Sequence, residues 1–199
     1  MDCIIPAAGA SQRMGTPKQT AIINGRPLLS IAVENALATC SRCIVVTGAH
    51  RSEAQTAIPR LPEVEEIYNA DYQRGMITSI AVGAERVRSP WFFVAPGDMP
   101  RLAPGVFAAL LEAAGRHDPE RGPVAFFPVY RERRGHPVLI SRCVIPELQR
   151  HAAEYRSMRD FLSRYDVADV AVSDAGIVFD VDTPEDVESA EDAGRERDK

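Results

Sequence analysis

Two sets of residues in this chain have types and spacings suited to chemistry on phosphates. The first is the stretch IIPAAGASQRMGTPKQ, residues 4–19, where Gly9 and Gly15 flank Arg13 and Lys18 follows. Ala7, Ala8, Gly9, Ala10 and Ser11 have small side chains or none, so their backbone N–H groups can approach an anion closely, and consecutive amides in a turn form an anion-binding nest. Arg13 can fork two oxygens, and Lys18 supplies a compact charge. Taken alone, the same residues describe a solvated basic turn equally well. The stretch has neither GxxxxGK[ST] nor GxGxxG, so it is neither a P-loop nor a dinucleotide fingerprint.

The second set is acidic. Asp98 follows the apolar run WFFVA in FFVAPGDMPRL, and Asp180 and Asp182 stand two apart in VFDVDTPEDV. Carboxylates at such positions suit Mg²⁺, which binds through one or two carboxylates plus substrate phosphates. Residues two apart on an extended segment share a face, so Asp180 and Asp182 can approach one cation. The alternatives are ordinary: Asp98 as a turn former and Asp182 as a helix cap. Three acids beside a triphosphate make chemical sense only with a cation, because two unit charges about 4 Å apart interact by roughly 4 kcal/mol at an effective dielectric near 20. Gly75, Thr78 and Ser79, in RGMITSI, begin a helical pattern whose free N–H groups suit either an anion or plain capping.

Positioning these residues requires an α/β scaffold. Val-, Ile- and Phe-rich segments (DCIIPA, RCIVVTG, VEEIYN, WFFVAPGD, PVAFFPVY, HPVLIS, DVADVAV) alternate with helical ones. RPLLSIAVENALATC spaces Leu28, Leu29, Ala32, Val33, Ala36 and Leu37 on one helix face. TPEDVESAEDAG starts with Thr183 as N-cap, Pro184 at N1 and acids in the first turn. The alternation predicts a Rossmann-like three-layer α/β/α sandwich with a mostly parallel sheet, its ligands beyond the carboxyl ends of the strands. With no repeat or linker in view, residues 1–194 read as a single domain and 195–199 as a charged tail expected to fray.

A net charge of −5 argues against a sequence-independent nucleic-acid binder. No apolar run reaches membrane-spanning length, and the first residues lack the basic and apolar regions of a signal peptide, so the expected location is the cytoplasm. Four cysteines do not make a disulfide framework. Cys40 and Cys43 form a CxxC that closes a helix and enters a strand, and no second ligand pair accompanies it, so packing is its expected role.

AAGASQRMGTPK resembles the (L/P)AxGxSxRMGxxK signature of the MobA-like nucleotidyltransferases, with Gly9, Ser11, Arg13, Met14, Gly15 and Lys18 at matching positions. GDMP and DVDTPEDV are similar to that family's metal-binding segments, and the matching motifs run from Ile4 to Val187. The resemblance is strongest to molybdenum cofactor cytidylyltransferases. It implies that Arg13 and Lys18 contact the nucleotide's triphosphate, that Asp98 and one of Asp180 and Asp182 hold Mg²⁺, and that Gly75, Thr78 and Ser79 lie by the base. It also implies that GHPVLI, with Gly135 and His136, lies near the acceptor, while Arg131, Arg133 and Arg134 read as a solvated hairpin end. The family's GDxGxR is replaced by AEYRSMRDFL, where Arg159 matches the arginine but the glycines are absent.

The implied reaction joins CTP to molybdopterin or its molybdenum form, with pyrophosphate released and a xanthine dehydrogenase-type molybdoenzyme as the eventual recipient. The alternatives are a GTP-using guanylyltransferase, a sugar- or polyol-phosphate nucleotidyltransferase, and a non-catalytic molybdopterin carrier. Ala8 favours CTP, because cytidylyl-transferring relatives carry AAG where guanylyl-transferring ones carry AGG.

Overall fold

The computed structural model describes residues 1–11 and 14–197, with side chains described through 191. The strands are β1 (Asp2–Ala7), β2 (Ile22–Ile23), β3 (Arg26–Pro27), β4 (Arg42–Thr47), β5 (Val64–Tyr68), β6 (Trp91–Val94), β7 (Ala125–Tyr130), β8 (Arg133–Arg134), β9 (Val138–Ser141) and β10 (Val167–Ala171). The α-helices are α1 (Leu28–Leu37), α2 (Arg51–Ala57), α3 (Met76–Ala84), α4 (Pro104–Ala114), α5 (Ile145–His151), α6 (Met158–Leu162) and α7 (Pro184–Arg197). The main sheet runs β10-β7-β9-β6-β1-β4-β5, with β8 on β7, while β2 and β3 form a separate ribbon. β1 pairs in parallel with β4 and β6, as do β4 with β5 and β7 with β10; β9 runs antiparallel between β6 and β7. The sheet is thus mixed and mostly parallel, with helices on both faces.

Alternation along the central strands explains the three layers. Successive side chains point to opposite faces, and here both faces are apolar. Ile5, Val45 and Phe93 pack on one side with Leu29, Val33, Phe107 and Leu110 of α1 and α4. Ile4, Ile44 and Phe92 pack on the other with Ile77, Ile80, Leu148 and Phe161 of α3, α5 and α6. Phe92 and Phe93 are both fully buried, and each such side chain stabilises by about 1.5–3 kcal/mol relative to exposure. Cys3, Cys40 and Cys43 are free thiols buried in the first of these layers, as packing predicts.

The carboxyl ends of β1, β4 and β6 lie side by side. The described residues that follow them (8–11, 14–17, 48–50 and 95–98) therefore lie at one edge of the sheet, where open α/β sheets bind ligands. Among the described residues, no helix is long and apolar enough to cross a membrane.

Candidate active site

The loop after β1 ends in a 3₁₀ turn, Lys18–Thr20. Ser11 adopts a left-handed φ of 50°, and its Oγ accepts the Lys18 N–H at 3.0 Å. That bond folds the loop back and sends the Lys18 side chain across the sheet edge. Arg13, expected to contact phosphate, lies outside the described residues.

Lys18 is where the two residue sets meet. Its Nζ donates to Asp98 Oδ2 at 2.5 Å and to Asp182 Oδ1 at 3.1 Å. Three chain segments converge here for identifiable reasons. Asp98 follows the buried strand β6; the cap position before α4 belongs to Ala103, so Asp98 does not cap that helix. The Val181 N–H donates to Asp98 O at 2.9 Å and ties the late segment to it. Asp186 Oδ2 accepts the N–H groups of Asp182 and Thr183 and the Thr183 hydroxyl, and Thr183 Oγ1 in turn accepts the Asp186 N–H at 3.3 Å. This reciprocal capping box starts α7 and leaves the Asp182 carboxylate to meet Lys18.

The electrostatics follow from this convergence. Burial works against the Lys18 charge, but Asp98 and Asp182 outweigh it and raise its pKa above the ordinary lysine value. Asp180 is pushed up by burial, then by its hydrogen bond to Asp182 and by the charges of Asp182 and Asp98. Among the described residues, no three His, Cys, Asp or Glu stand ready to enclose a metal ion by themselves. Yet Asp98 and Asp182 already face one cationic point, the Lys18 ammonium. The donor set therefore fits a hard cation that takes its remaining ligands from phosphate oxygens and water.

Two open regions flank this point. On one side, a cleft of about 590 Å³ is bordered by Ala8, Gly9, Ala10, Ser11, Lys18 and Asp182, with Tyr72 opposite. It continues into a recess lined by Ala7, Gln19, Ser79 and Asp98. On the other side, a cavity of about 410 Å³ has an apolar wall including Ile77, Ile80, Val94 and Phe127, with Gly135, His136, Arg134, Arg156 and Arg159 around it. A groove bordered by Asp98, Asp180, Gly135 and His136 joins the two sides. Burial lowers the His136 pKa, and its Nδ1 is buried with no hydrogen-bond partner among the described residues.

The residue set at the start of α3 is built around Asn69. Its Nδ2 donates to Thr78 Oγ1 and Ser79 Oγ, each at 3.0 Å. The Thr78 hydroxyl also reaches the carbonyls of Gly75 and Asp71. Gly75, with φ of 107°, occupies the N-cap position of α3 without a side-chain cap. Ser79 borders the recess beside Gln19 and Asp98, whereas Thr78 serves the turn that carries Tyr72 and Met76.

Lys18, Asp98 and Asp182 thus stand between a polar cleft and a half-apolar cavity. Residues 3–170 match the MobA-like NTP transferase domain. The chain belongs to the MobA-like NTP transferase family. It is a nucleotidyltransferase, and its sheet has the architecture of the nucleotide-diphospho-sugar transferase type. It is 33% identical to the molybdenum cofactor cytidylyltransferase of Escherichia coli, over 96% of each chain. It is 28% identical to a probable molybdenum cofactor guanylyltransferase of Trichormus variabilis, over 94% of this chain and 88% of that one. The fold also matches the crystal structure of Rv0371c from Mycobacterium tuberculosis in complex with manganese, with a TM-score of 0.76 at 22% identity, covering 96% of this chain and 98% of the other.

Within this family framework, several site residues carry no signal in the sequence. Gln19, Asn69 and Tyr72 border or brace the cleft and its recess, and Arg156 borders the half-apolar cavity. Arg134 is exposed, as a solvated hairpin end implies, but it also has partners. The turn itself is present, with positive φ at Arg131 and Glu132. Arg134, however, lies past it, where it pairs with Asp169 of β10 through Nε at 2.6 Å, stacks over Phe127 and borders both acceptor-side spaces. The signal that could have found it is strand alternation, which puts Arg134 opposite Val129 in the β7–β8 hairpin.

Proposed function

We propose that this protein transfers CMP from CTP to the terminal phosphate of molybdopterin or its molybdenum form, with release of pyrophosphate. The observation that carries the reading is Lys18 held between Asp98 and Asp182 where the two spaces meet. CTP lies in the cleft bordered by Ala7–Ser11, with its triphosphate toward Lys18 and Arg13 and its base toward Gly75, Thr78 and Ser79. The acceptor lies in the cavity bordered by Gly135, His136 and Arg159, its ring against the apolar wall and its phosphate toward Asp98.

An acceptor phosphate oxygen forms the new bond to the α-phosphorus, and the bond from that phosphorus to the bridging oxygen of the leaving pyrophosphate breaks. A phosphate monoester is already anionic, so no general base and no covalent intermediate are needed. The chain contributes positioning and charge neutralisation. Asp98 and Asp182 would hold Mg²⁺, with Asp180 close by in the sequence; the bound ion would supply charge stabilisation at the α-phosphate. Lys18 orients the phosphates once its carboxylate partners turn to the ion, and the apolar acceptor wall excludes water from the reacting atoms.

The preference for CTP is supported by Ala8 and by the cytidylyltransferase likeness. Ala8 borders both the recess and the cleft, and its methyl group is what separates AAG from AGG. One methylene-sized difference is worth about 1–3 kcal/mol. Incubating the protein with labelled CTP or GTP, Mg²⁺ and molybdopterin, and measuring pyrophosphate release, tests the proposal. Faster turnover with GTP would overturn the cytidylyl assignment, and release only with a sugar or polyol phosphate would overturn the acceptor. No release with any of these, together with tight molybdopterin binding, would turn the reading to a carrier.

A further inference from the structure

The loop between β1 and the Lys18 turn is held by groups outside it. Every carbonyl oxygen from Ala7 to Ala10 accepts a hydrogen bond from elsewhere in the chain. Gln19 Nε2 donates to Ala7 O at 2.9 Å and reaches Gly9 O at 3.4 Å. The Ala49 N–H donates to Ala8 O at 3.2 Å, and His50 Nε2 lies 3.1 Å from Ala10 O. A carbonyl oxygen only accepts, so His50 carries its proton on Nε2 toward Ala10.

Peptide planarity turns these four bonds into a statement about donors. In a trans peptide, the C=O of one residue and the N–H of the next point in opposite directions. Fixing the carbonyls of Ala7, Ala8, Gly9 and Ala10 therefore fixes the amides of Ala8, Gly9, Ala10 and Ser11, each aimed away from its anchor. Those four residues border the nucleotide-side cleft. Without anchors, a glycine- and alanine-rich loop is free to rotate a peptide and present a carbonyl to the phosphates, replacing attraction with repulsion. Gln19 is only 3% exposed, so its amide serves the loop rather than solvent. Its Oε1 also lies 3.5 Å from Ser11 Oγ, which links the first and last residues of the loop.

We infer that Gln19 and His50 are positioning residues for the nucleotide's phosphates, acting by holding back the Ala7–Ala10 carbonyls so that the amides are ready before the nucleotide arrives. The inference rests on the nucleotidyltransferase reading of this cleft. Neither residue touches the reacting atoms. Gln19, with two carbonyls and a buried site, carries more of the effect than His50, which holds one carbonyl from a partly exposed position.

The test is calorimetric titration of CTP and of GTP, each with Mg²⁺, into the parent protein, Gln19→Leu, His50→Ala and His50→Gln, with thermal melting run alongside. Gln19→Leu weakens both nucleotides by about tenfold or more, the consequence of leaving buried carbonyls unpaired. His50→Ala weakens both by a few-fold, and His50→Gln restores binding because its amide can donate to Ala10 O. The CTP-to-GTP ratio stays at the parental value in every variant, since the loop acts on phosphates common to both. A folded Gln19→Leu that binds as the parent does, or a changed ratio, would overturn the inference. Should Gln19→Leu fail to fold, the His50 pair decides: no loss in His50→Ala, or no rescue in His50→Gln, refutes it. A parent that binds neither nucleotide refutes the proposed placement of CTP or GTP in this cleft, an outcome distinct from parental binding that the variants leave unchanged.

Discussion

Gly135→Ala offers a sharp test of how the acceptor side is built. Gly135 precedes His136, whose N–H donates to Ile177 O at 2.8 Å. A Cβ on Gly135 would lie 2.1 Å from that same oxygen, 2.6 Å from the Ile177 carbonyl carbon and 2.9 Å from Ile177 Cβ. The shortest of these is about 1 Å inside normal contact, and in a close-packed interior the overlap must be relieved by movement. Two of the three atoms are backbone, so a side-chain rotation does not relieve it. The Gly135–His136 segment and the 175–178 turn must separate, and the His136–Ile177 hydrogen bond lengthens or breaks. Overpacking costs about 1–3 kcal/mol and the lost hydrogen bond about 0.5–1.5 kcal/mol, giving about 2–4 kcal/mol in total. For a chain of this size that corresponds to a fall in Tm of about 5–15 °C.

The same displacement carries His136 and Arg134 away from the acceptor cavity but leaves the Ala7–Ser11 cleft in place. Thermal denaturation, titration with CTP and Mg²⁺, and steady-state kinetics varying the acceptor measure the three effects. The variant should melt earlier, bind CTP within about twofold of the parent and show a raised KM for the acceptor. A Gly135→Ala protein that melts within about 2 °C of the parent with an unchanged acceptor KM would refute the argument from close approach.

Asp98→Asn should lower turnover by about 10²–10³-fold and weaken Mn²⁺ binding measured by electron paramagnetic resonance in the presence of CTP, while the fold survives because Asp98 caps no helix. Lys18→Met removes the cation that occupies the Asp98–Asp182 pair, so Mn²⁺ binding without nucleotide should tighten while CTP binding weakens; loss of both would count against Lys18 as the resident counter-ion. Asp2 is buried and accepts the N–H groups of Arg88 and Ser89, the Ser89 hydroxyl and Arg42 Nε. Burial pushes its pKa up, but those backbone and hydroxyl donors and the Arg42 charge outweigh it and hold the carboxylate below its usual value. The stabilisation it gives is thus present above the unfolded carboxyl value near pH 4 and is lost as pH falls through the lowered folded value. Asp2→Asn should cost about 1–3 kcal/mol at neutral pH and flatten the acid limb of the denaturation curve, which chemical unfolding at several pH values would show.

The layered architecture was legible in the sequence because its cause is local. Apolar runs such as IIPA and WFFV give strands with two buried faces, and the 3.6-residue spacing of Leu28, Leu29, Ala32, Val33 and Ala36 gives a helix with one. The candidate residues were legible in the same local way: AAGASQRMGTPK and GDMP each state a residue type and a position after a strand, whereas DVDTP follows the 175–178 turn and states residue types and a helix start. Thr183 declared itself as the start of a helix through the acids that follow it.

Contacts among segments far apart in the chain decided the rest. Lys18 is 80 residues from Asp98 and 164 from Asp182; the parallel pairing of β1 with β6 brings the Lys18 and Asp98 loops to one edge, and the Val181–Asp98 hydrogen bond brings Asp182 to them. Sequence spacing left Asp180 and Asp182 equivalent; the fold sets the Asp182 carboxylate against Lys18, and that contact is what favours it in the proposed metal role. Arg134 is exposed like the rest of its run, and strand register is what places it beside Asp169 and Phe127. Gln19 had no signal at all, because a buried glutamine is recognised by the carbonyls it pairs with, and those belong to a loop whose path the tertiary fold sets. Residue type and periodicity thus determine which elements form and which groups are chemically able to act. The free energy that selects which of those groups meet comes from burying both faces of one sheet, a quantity that belongs to the assembled structure.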